Sequence, residues 1–174
     1  AAGLPLYKYM GAYRNKLPVY ASGLFHETVE QYVEEALYYK SLGIRAYKAH
    51  PPGPVQTDMK IHQALRDAVG DEHVLLTDPV AEYSLDEAIK VGRHLEQLNY
   101  LWFEEPFRDF EVNKYKQLCA ALDIPVAATE TTRGCHWGVA QSIANQAADI
   151  VRADVSWKHG ITGTLKIAHL AEAF

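Results

Sequence analysis

Four acidic residues recur along this chain at nearly constant intervals: Asp78, Glu104, Glu130 and Asp154, separated by 26, 26 and 24 residues. Each closes a short apolar run, in HVLLTD, YLWFE, PVAATE and IVRAD. Apolar runs belong in a core and carboxylates do not. An acid in that position is either solvated where the run reaches the surface or held there as a ligand or catalyst. Taken singly, each fits a helix cap or a local ion pair. Three converging on neighbouring chain segments cannot all stay ionised alone: either their pKa values rise or a cation sits among them. Oxygen donors with no Cys or His in the set favour Mg²⁺ or Mn²⁺ over Zn²⁺.

A second group of residues suits proton transfer. RAYKAH ends in Lys48 and His50, two apart and therefore on one face of an extended segment. An ammonium and an imidazole beside a metal site are an acid–base pair in waiting. Arg152 and Asp154 share a face in the same way, with Lys158 close behind, and Asp154 is placed to orient a histidine from a following unit. Alternation also separates the paired acids of YLWFEEPF. If Glu104 points inward with Trp102, then Phe103 and Glu105 face the helices or the loop. Glu105 is left to hold a neighbouring strand end or a base such as Arg108. By the same rule Leu76 shares a face with Asp78, and Ala128 with Glu130.

The elements that must carry these groups alternate regularly. Strands are expected at Leu17–Gly23, Arg45–His50, His73–Pro79, Tyr100–Glu105, Pro125–Glu130 and Ile150–Val155. Helices are expected at Glu27–Leu42, Asp58–Val69, Ser84–Leu98, Phe110–Leu122 and Cys135–Ala148, with a last one from Gly160 to Phe174. Ser84 followed by Asp86 and Glu87 is an N-terminal capping signal. Strict alternation implies an α/β protein with a parallel sheet and helical crossovers. No glycine-rich phosphate loop follows the first strand, which disfavours a doubly wound nucleotide fold. A (β/α)8 TIM-type barrel fits better, with about six of its eight units in residues 17–174. Six units leave two open strand edges, so further units or a partner are expected to close it. Equal phase then puts the acids at one height, on the C-terminal face where barrel active sites form. Residues 1–16 read as the tail of an earlier helix and a linker.

The 174 residues are 48% hydrophobic and 22% charged, a globular balance that can bury one sizeable core. A net charge of -5 argues against nucleic acid or an anionic membrane as partner. No apolar run is long enough to span a bilayer and no signal-peptide pattern opens the chain. Cys119 and Cys135 form neither a disulfide framework nor a metal spacing and read as packing residues in a reducing, cytoplasmic protein.

Taken together, these motifs resemble the enolase superfamily, in its mandelate racemase/muconate lactonizing enzyme-like branch. The resemblance rests on LPVYASG, Lys48-Ala49-His50, LLTDP, WFEEP, PVAATE and RADVSWKHGITG, and runs over nearly the whole chain. It implies that Asp78, Glu104 and Glu130 bind Mg²⁺, that residues 1–16 trail from a capping-domain segment, and that the full protein is a homo-oligomer. It also implies a reaction that begins by removing the proton α to a carboxylate, with the metal holding the enediolate. Racemisation, β-elimination of water and cycloisomerisation are the family's later fates. His50 replaces the second lysine of the pair used by cycloisomerases, and Val80 stands where many relatives carry a polar residue. Asp154 resembles the aspartate of a His–Asp dyad whose histidine would lie beyond Phe174. Lys158 stands near the position of a lysine used by cycloisomerases and dipeptide epimerases. Arg152, Arg133 and Lys158 are the substrate-binding candidates, and basic surroundings suit a hydroxylated carboxylate. The expected activity is that of an acid-sugar (aldonate or aldarate) dehydratase. The alternatives are a racemase, epimerase or cycloisomerase of the same superfamily, a truncated non-catalytic fragment, or an unrelated metal-dependent barrel lyase or aldolase.

Overall fold

A computed structural model of the chain describes residues 2–12 and 14–174. Ala1 and Tyr13, both within the expected linker, lie outside them. After a four-residue helix α1 (Leu6–Tyr9), strands and helices alternate. The order is β1 (Ala21–Ser22), α2 (Val29–Ser41), β2 (Ala46–Ala49), α3 (Val55–Val69), β3 (Val74–Thr77), α4 (Leu85–Gln97), β4 (Phe103–Glu104), α5 (Val112–Ala121), β5 (Val126–Ala128), α6 (Cys135–Ala144), β6 (Ile150–Val151) and α7 (Gly160–Glu172). Among the described residues the strands form one six-stranded parallel sheet in sequential order, β1 to β6, the arrangement of a partial β/α barrel. No helix among the described residues is long and apolar enough to cross a membrane.

Local chemistry explains the boundaries. Ser84 caps α4 as expected: it accepts from the Glu87 N–H while the Glu87 carboxylate accepts from the Ser84 N–H at 2.9 Å. Thr28 and Gln31 make the same reciprocal cap on α2. Helix α3 begins at Val55, one turn before the expected Asp58, because Pro54 supplies the N-cap and ends the preceding proline-rich turn. Asp58 is a buried acid in the first turn, accepting the Tyr83 hydroxyl at 2.5 Å and the Gly53 N–H at 3.3 Å. Strand β4 is shorter than Tyr100–Glu105. Tyr100 instead closes the end of α4 through its N–H to Leu95 O, with its ring against His62. Strand β1 is likewise short, and Leu17 and Val19 are exposed.

Side chains alternate across the sheet. Tyr47, Leu75, Phe103, Val126 and Ala128 face the helices and pack with Tyr32, Ile61, Leu65, Leu95 and Leu118 in the main core. Their neighbours Lys48, Leu76, Glu104 and Ala127 face the opposite side, and register pairs like with like: Lys48 with Leu76, and Glu104 with Ala127. At the N-terminal ends of β3 and β4 Arg66 of α3 is buried and gathers the carbonyls of Gly70, His73, Leu98 and Asn99.

One core residue carries a pH liability. His62 is fully buried, and neither ring nitrogen finds a hydrogen-bond partner among the described residues. Burial, with a lesser contribution from His94, pushes its pKa down to about 3. The folded state therefore binds fewer protons than the unfolded one. This contribution is intact above the ordinary histidine value near 6.5 and is lost as pH falls toward 3, at about 1.4 kcal/mol per pH unit. His62→Phe, which keeps the edge-to-face contact with Tyr100, is expected to flatten the fall of urea-unfolding stability between pH 6 and 4.

Candidate active site

The C-terminal ends of β3, β4 and β5 bring three of the spaced acids together. Asp78 follows β3 directly, its N–H bonded to Ala49 O at 3.0 Å; Glu104 ends β4; Glu130 lies two residues beyond β5. One carboxylate oxygen from each lies within 4.8 Å of the others. Glu104 is fully buried, Asp78 nearly so, and Glu130 partly so.

Two organic cations reach into this cluster. The Lys48 ammonium lies 3.1 Å from Asp78 Oδ2 and 3.0 Å from Glu104 Oε2 and is itself buried. The Arg152 guanidinium bonds Glu104 Oε1 and, at 3.0 Å, Glu130 Oε2. Trp102 donates its indole N–H to Glu104 Oε2 at 3.1 Å, which puts it on the inward face as alternation requires. The Tyr20 ring packs edge-on against Trp102 and lies 5.7 Å from the Lys48 ammonium. Burial pushes the Asp78 carboxyl up, but the His50 bond and the Lys48 charge outweigh it and hold the group below the ordinary carboxylate range. Glu130 is raised, first by burial, with Glu104 and Asp78 adding to it against the opposing pull of Arg152 and Lys48.

His50 stands beside Asp78, its Nε2 3.5 Å from Oδ2. Its Nδ1 lies 2.8 Å from Gly23 O. A carbonyl only accepts, so Nδ1 carries a proton and Nε2 is the ring nitrogen turned toward the acids. The Tyr32 hydroxyl donates to His50 O at 2.6 Å and fixes the strand end. A side chain at Gly23 would collide with Tyr47 and Glu35, so glycine is what lets this carbonyl approach. Neither Gly23 nor Tyr32 stands out in the sequence, since their part is played through a backbone oxygen and across 18 or more residues.

Two placements differ from strand alternation. Ala128 faces the helices, so a regular strand would turn Glu130 that way as well, not inward with Ala128 as expected. The chain breaks phase at Thr129, whose φ is +88°, and this returns Glu130 to the acids. Strand β6 ends at Val151, so Asp154 lies in a turn and not on the strand. Asp154 accepts the Ser156 N–H at 2.6 Å, while its main-chain carbonyl accepts from Trp157 and Lys158. Glu105 takes the first of the two roles left open for it. It is buried and holds the next strand's loop through Thr131, while Arg108 is exposed. Lys158 is buried with its ammonium 2.5 Å from Thr132 O, and Arg133 is exposed.

A β/α partial barrel with an all-carboxylate cluster at the C-terminal strand ends defines a class of metal-assisted enzymes. The enolase C-terminal domain-like family model matches residues 31–174, and the chain belongs to that family. The L-talarate/galactarate dehydratase of Salmonella typhimurium is 34% identical over 173 residues, covering 98% of this chain and 43% of that protein. The crystal structure of D-glucarate dehydratase from Agrobacterium tumefaciens complexed with magnesium is 37% identical at a TM-score of 0.94, covering 98% of this chain and 48% of that one. The 3,6-anhydro-D-galactonate cycloisomerase of Zobellia galactanivorans is 32% identical at a TM-score of 0.89, covering 95% and 47%. The chain thus spans about half the length of the relatives it matches.

Proposed function

We propose that this chain carries the metal site and proton-transfer groups of a Mg²⁺-dependent acid-sugar dehydratase. The observation that carries this reading is the meeting of Asp78, Glu104 and Glu130 within 4.8 Å beside Lys48 and His50. The donor set fits the ion: hard oxygens from three strand ends suit Mg²⁺, and Mn²⁺ by the same chemistry. Asp78, Glu104 and Glu130 would hold it. When bound, Mg²⁺ supplies positive charge where negative charge develops on the substrate carboxylate.

The chain's own residues do the rest. His50 Nε2 is aimed to take the α-proton, and the C–H electron pair moves into the carboxylate. Loss of the β-hydroxyl with a proton as water then leaves an enol that becomes a 2-keto acid. Lys48 stays between Asp78 and Glu104, where it offsets charge and donates to developing oxyanions. Arg152 is the nearest guanidinium to the acids and the leading group for a second polar end of the substrate, with exposed Arg133 further out. Asp154 is kept for a dyad with a histidine from elsewhere in the protein. Residues 1–16 are proposed as a link to a capping segment, and the protein as a cytoplasmic homo-oligomer.

A panel of aldonic and aldaric acids tests this. Formation of a 2-keto product, read as its semicarbazone, is the expected result. The cycloisomerase relatives favour isomerisation as the second reading, which would give turnover without loss of water. No turnover together with no solvent deuterium at the α-carbon would sink both.

A further inference from the structure

Glu130 reaches the acid cluster only because the chain leaves strand geometry at Thr129. A β-branched residue at φ +88° is strained, and such a conformation persists only where its surroundings over-determine it. Three side chains do so. The Thr129 hydroxyl donates to Arg152 O at 2.8 Å. On one side, the Glu105 carboxylate accepts the Thr131 N–H and hydroxyl, each at 3.4 Å, and a bond from the Glu130 backbone. On the other, the Lys158 ammonium donates to Thr132 O at 2.5 Å.

Lys158 is an unusual choice for this task. It is fully buried, and lysine seldom is unless paired. Its backbone is fixed too: Cys135 Sγ donates to Lys158 O at 3.3 Å. The first turn of α7 presses on the same carbonyl at Gly163, where any side chain would collide with it. A held backbone and a buried ammonium make a rigid strut from the β6–α7 turn to the β5–α6 loop.

We propose that Lys158 and Glu105 are positioning residues for the metal site: together they clamp residues 130–132 from opposite sides and so aim the Glu130 carboxylate inward. The inference rests on the metal-site reading above. Neither residue touches substrate in this role; both act through Glu130. Partners that orient a metal ligand are typically worth 10–100-fold in metal affinity.

The test is calorimetric titration of the protein with Mg²⁺, in wild type, Lys158→Met, Lys158→Arg and Glu104→Gln, each checked for folding by circular dichroism. The expected result is that folded Lys158→Met binds 10–100-fold more weakly than wild type and that Lys158→Arg recovers most of the difference. A purely structural lysine would lower the melting temperature and leave the affinity of the folded protein unchanged. That result would overturn the inference while leaving the metal site standing. Wild-type binding no better than Glu104→Gln would overturn both. Should Lys158→Met fail to fold, Glu105→Gln decides from the other side of the clamp, with the same loss expected and the same unchanged affinity overturning the proposal.

Discussion

Glu104→Gln is expected to weaken Mg²⁺ binding at least about 100-fold and to reduce turnover by about a thousandfold or more. The change is nearly isosteric, so what it removes is charge. Glu104 is fully buried and engages both cations of the site: Lys48, with Trp102, on one oxygen and Arg152 on the other. With the carboxylate gone, Lys48 and Arg152 face only Asp78 and Glu130, and the cluster falls from three negative charges to two. The two cations already offset two of those charges, so the mutant cluster has little net attraction left for a divalent ion. Removing one partner of a buried charge pair also costs about 3–5 kcal/mol. Two measurements separate these effects. Mg²⁺ titration of the folded protein reads the lost ligand, and urea unfolding without metal reads the unpaired cations. Glu104→Gln that binds Mg²⁺ as wild type does would remove Glu104 from the metal site and the proposed chemistry with it.

Much of this site was legible in the chain because its period is the period of the fold. An acid every 24 to 26 residues marks the same point of successive strand–helix units, and the structure gathers three of the four. The inward pairing of Trp102 and Glu104 and the cap at Ser84 followed from rules local to a few residues. What was not legible depends on contacts far apart in sequence or on broken regularity. The phase break at Thr129 has no signature in PVAATE, since a β-branched residue gives no warning of positive φ. The burial of Lys158 is invisible in WKHG, where a lysine between tryptophan and histidine looks solvated. Its partner Thr132 is 26 residues away. Asp58 looked like the start of a helix because acids favour first turns, and its bond to Tyr83 forms only when α3 meets the β3–α4 loop.

The opposite end of the strands carries the second large effect. Arg66→Met is expected to destabilise the protein by about 3–5 kcal/mol. Arg66 Nε donates to Leu98 O at 2.8 Å, one terminal nitrogen to Gly70 O at 2.7 Å and His73 O at 2.8 Å, and the other to Asn99 O at 3.0 Å. These carbonyls lie at the C-terminal ends of α3 and α4 and at the approaches to β3 and β4. A helix leaves its last carbonyls without internal partners, and its dipole favours a cation there. One planar guanidinium therefore closes two helices and fixes where two strands enter the sheet, with its plane also near the Tyr100 ring. Methionine fills the space but donates nothing, and the buried carbonyls it strands each incur a desolvation penalty. Lysine should recover less than half, because a single ammonium cannot span the fork. The loss read by urea unfolding is a large fraction of the roughly 5–15 kcal/mol by which native domains are stable. Yet β3 and β4 deliver Asp78 and Glu104 at their other ends. Whatever fraction of Arg66→Met remains folded should bind Mg²⁺ with unchanged affinity. A weakened affinity in that folded fraction would mean that the two ends of the sheet are mechanically coupled, against the division of stability and chemistry between opposite faces that this fold otherwise displays.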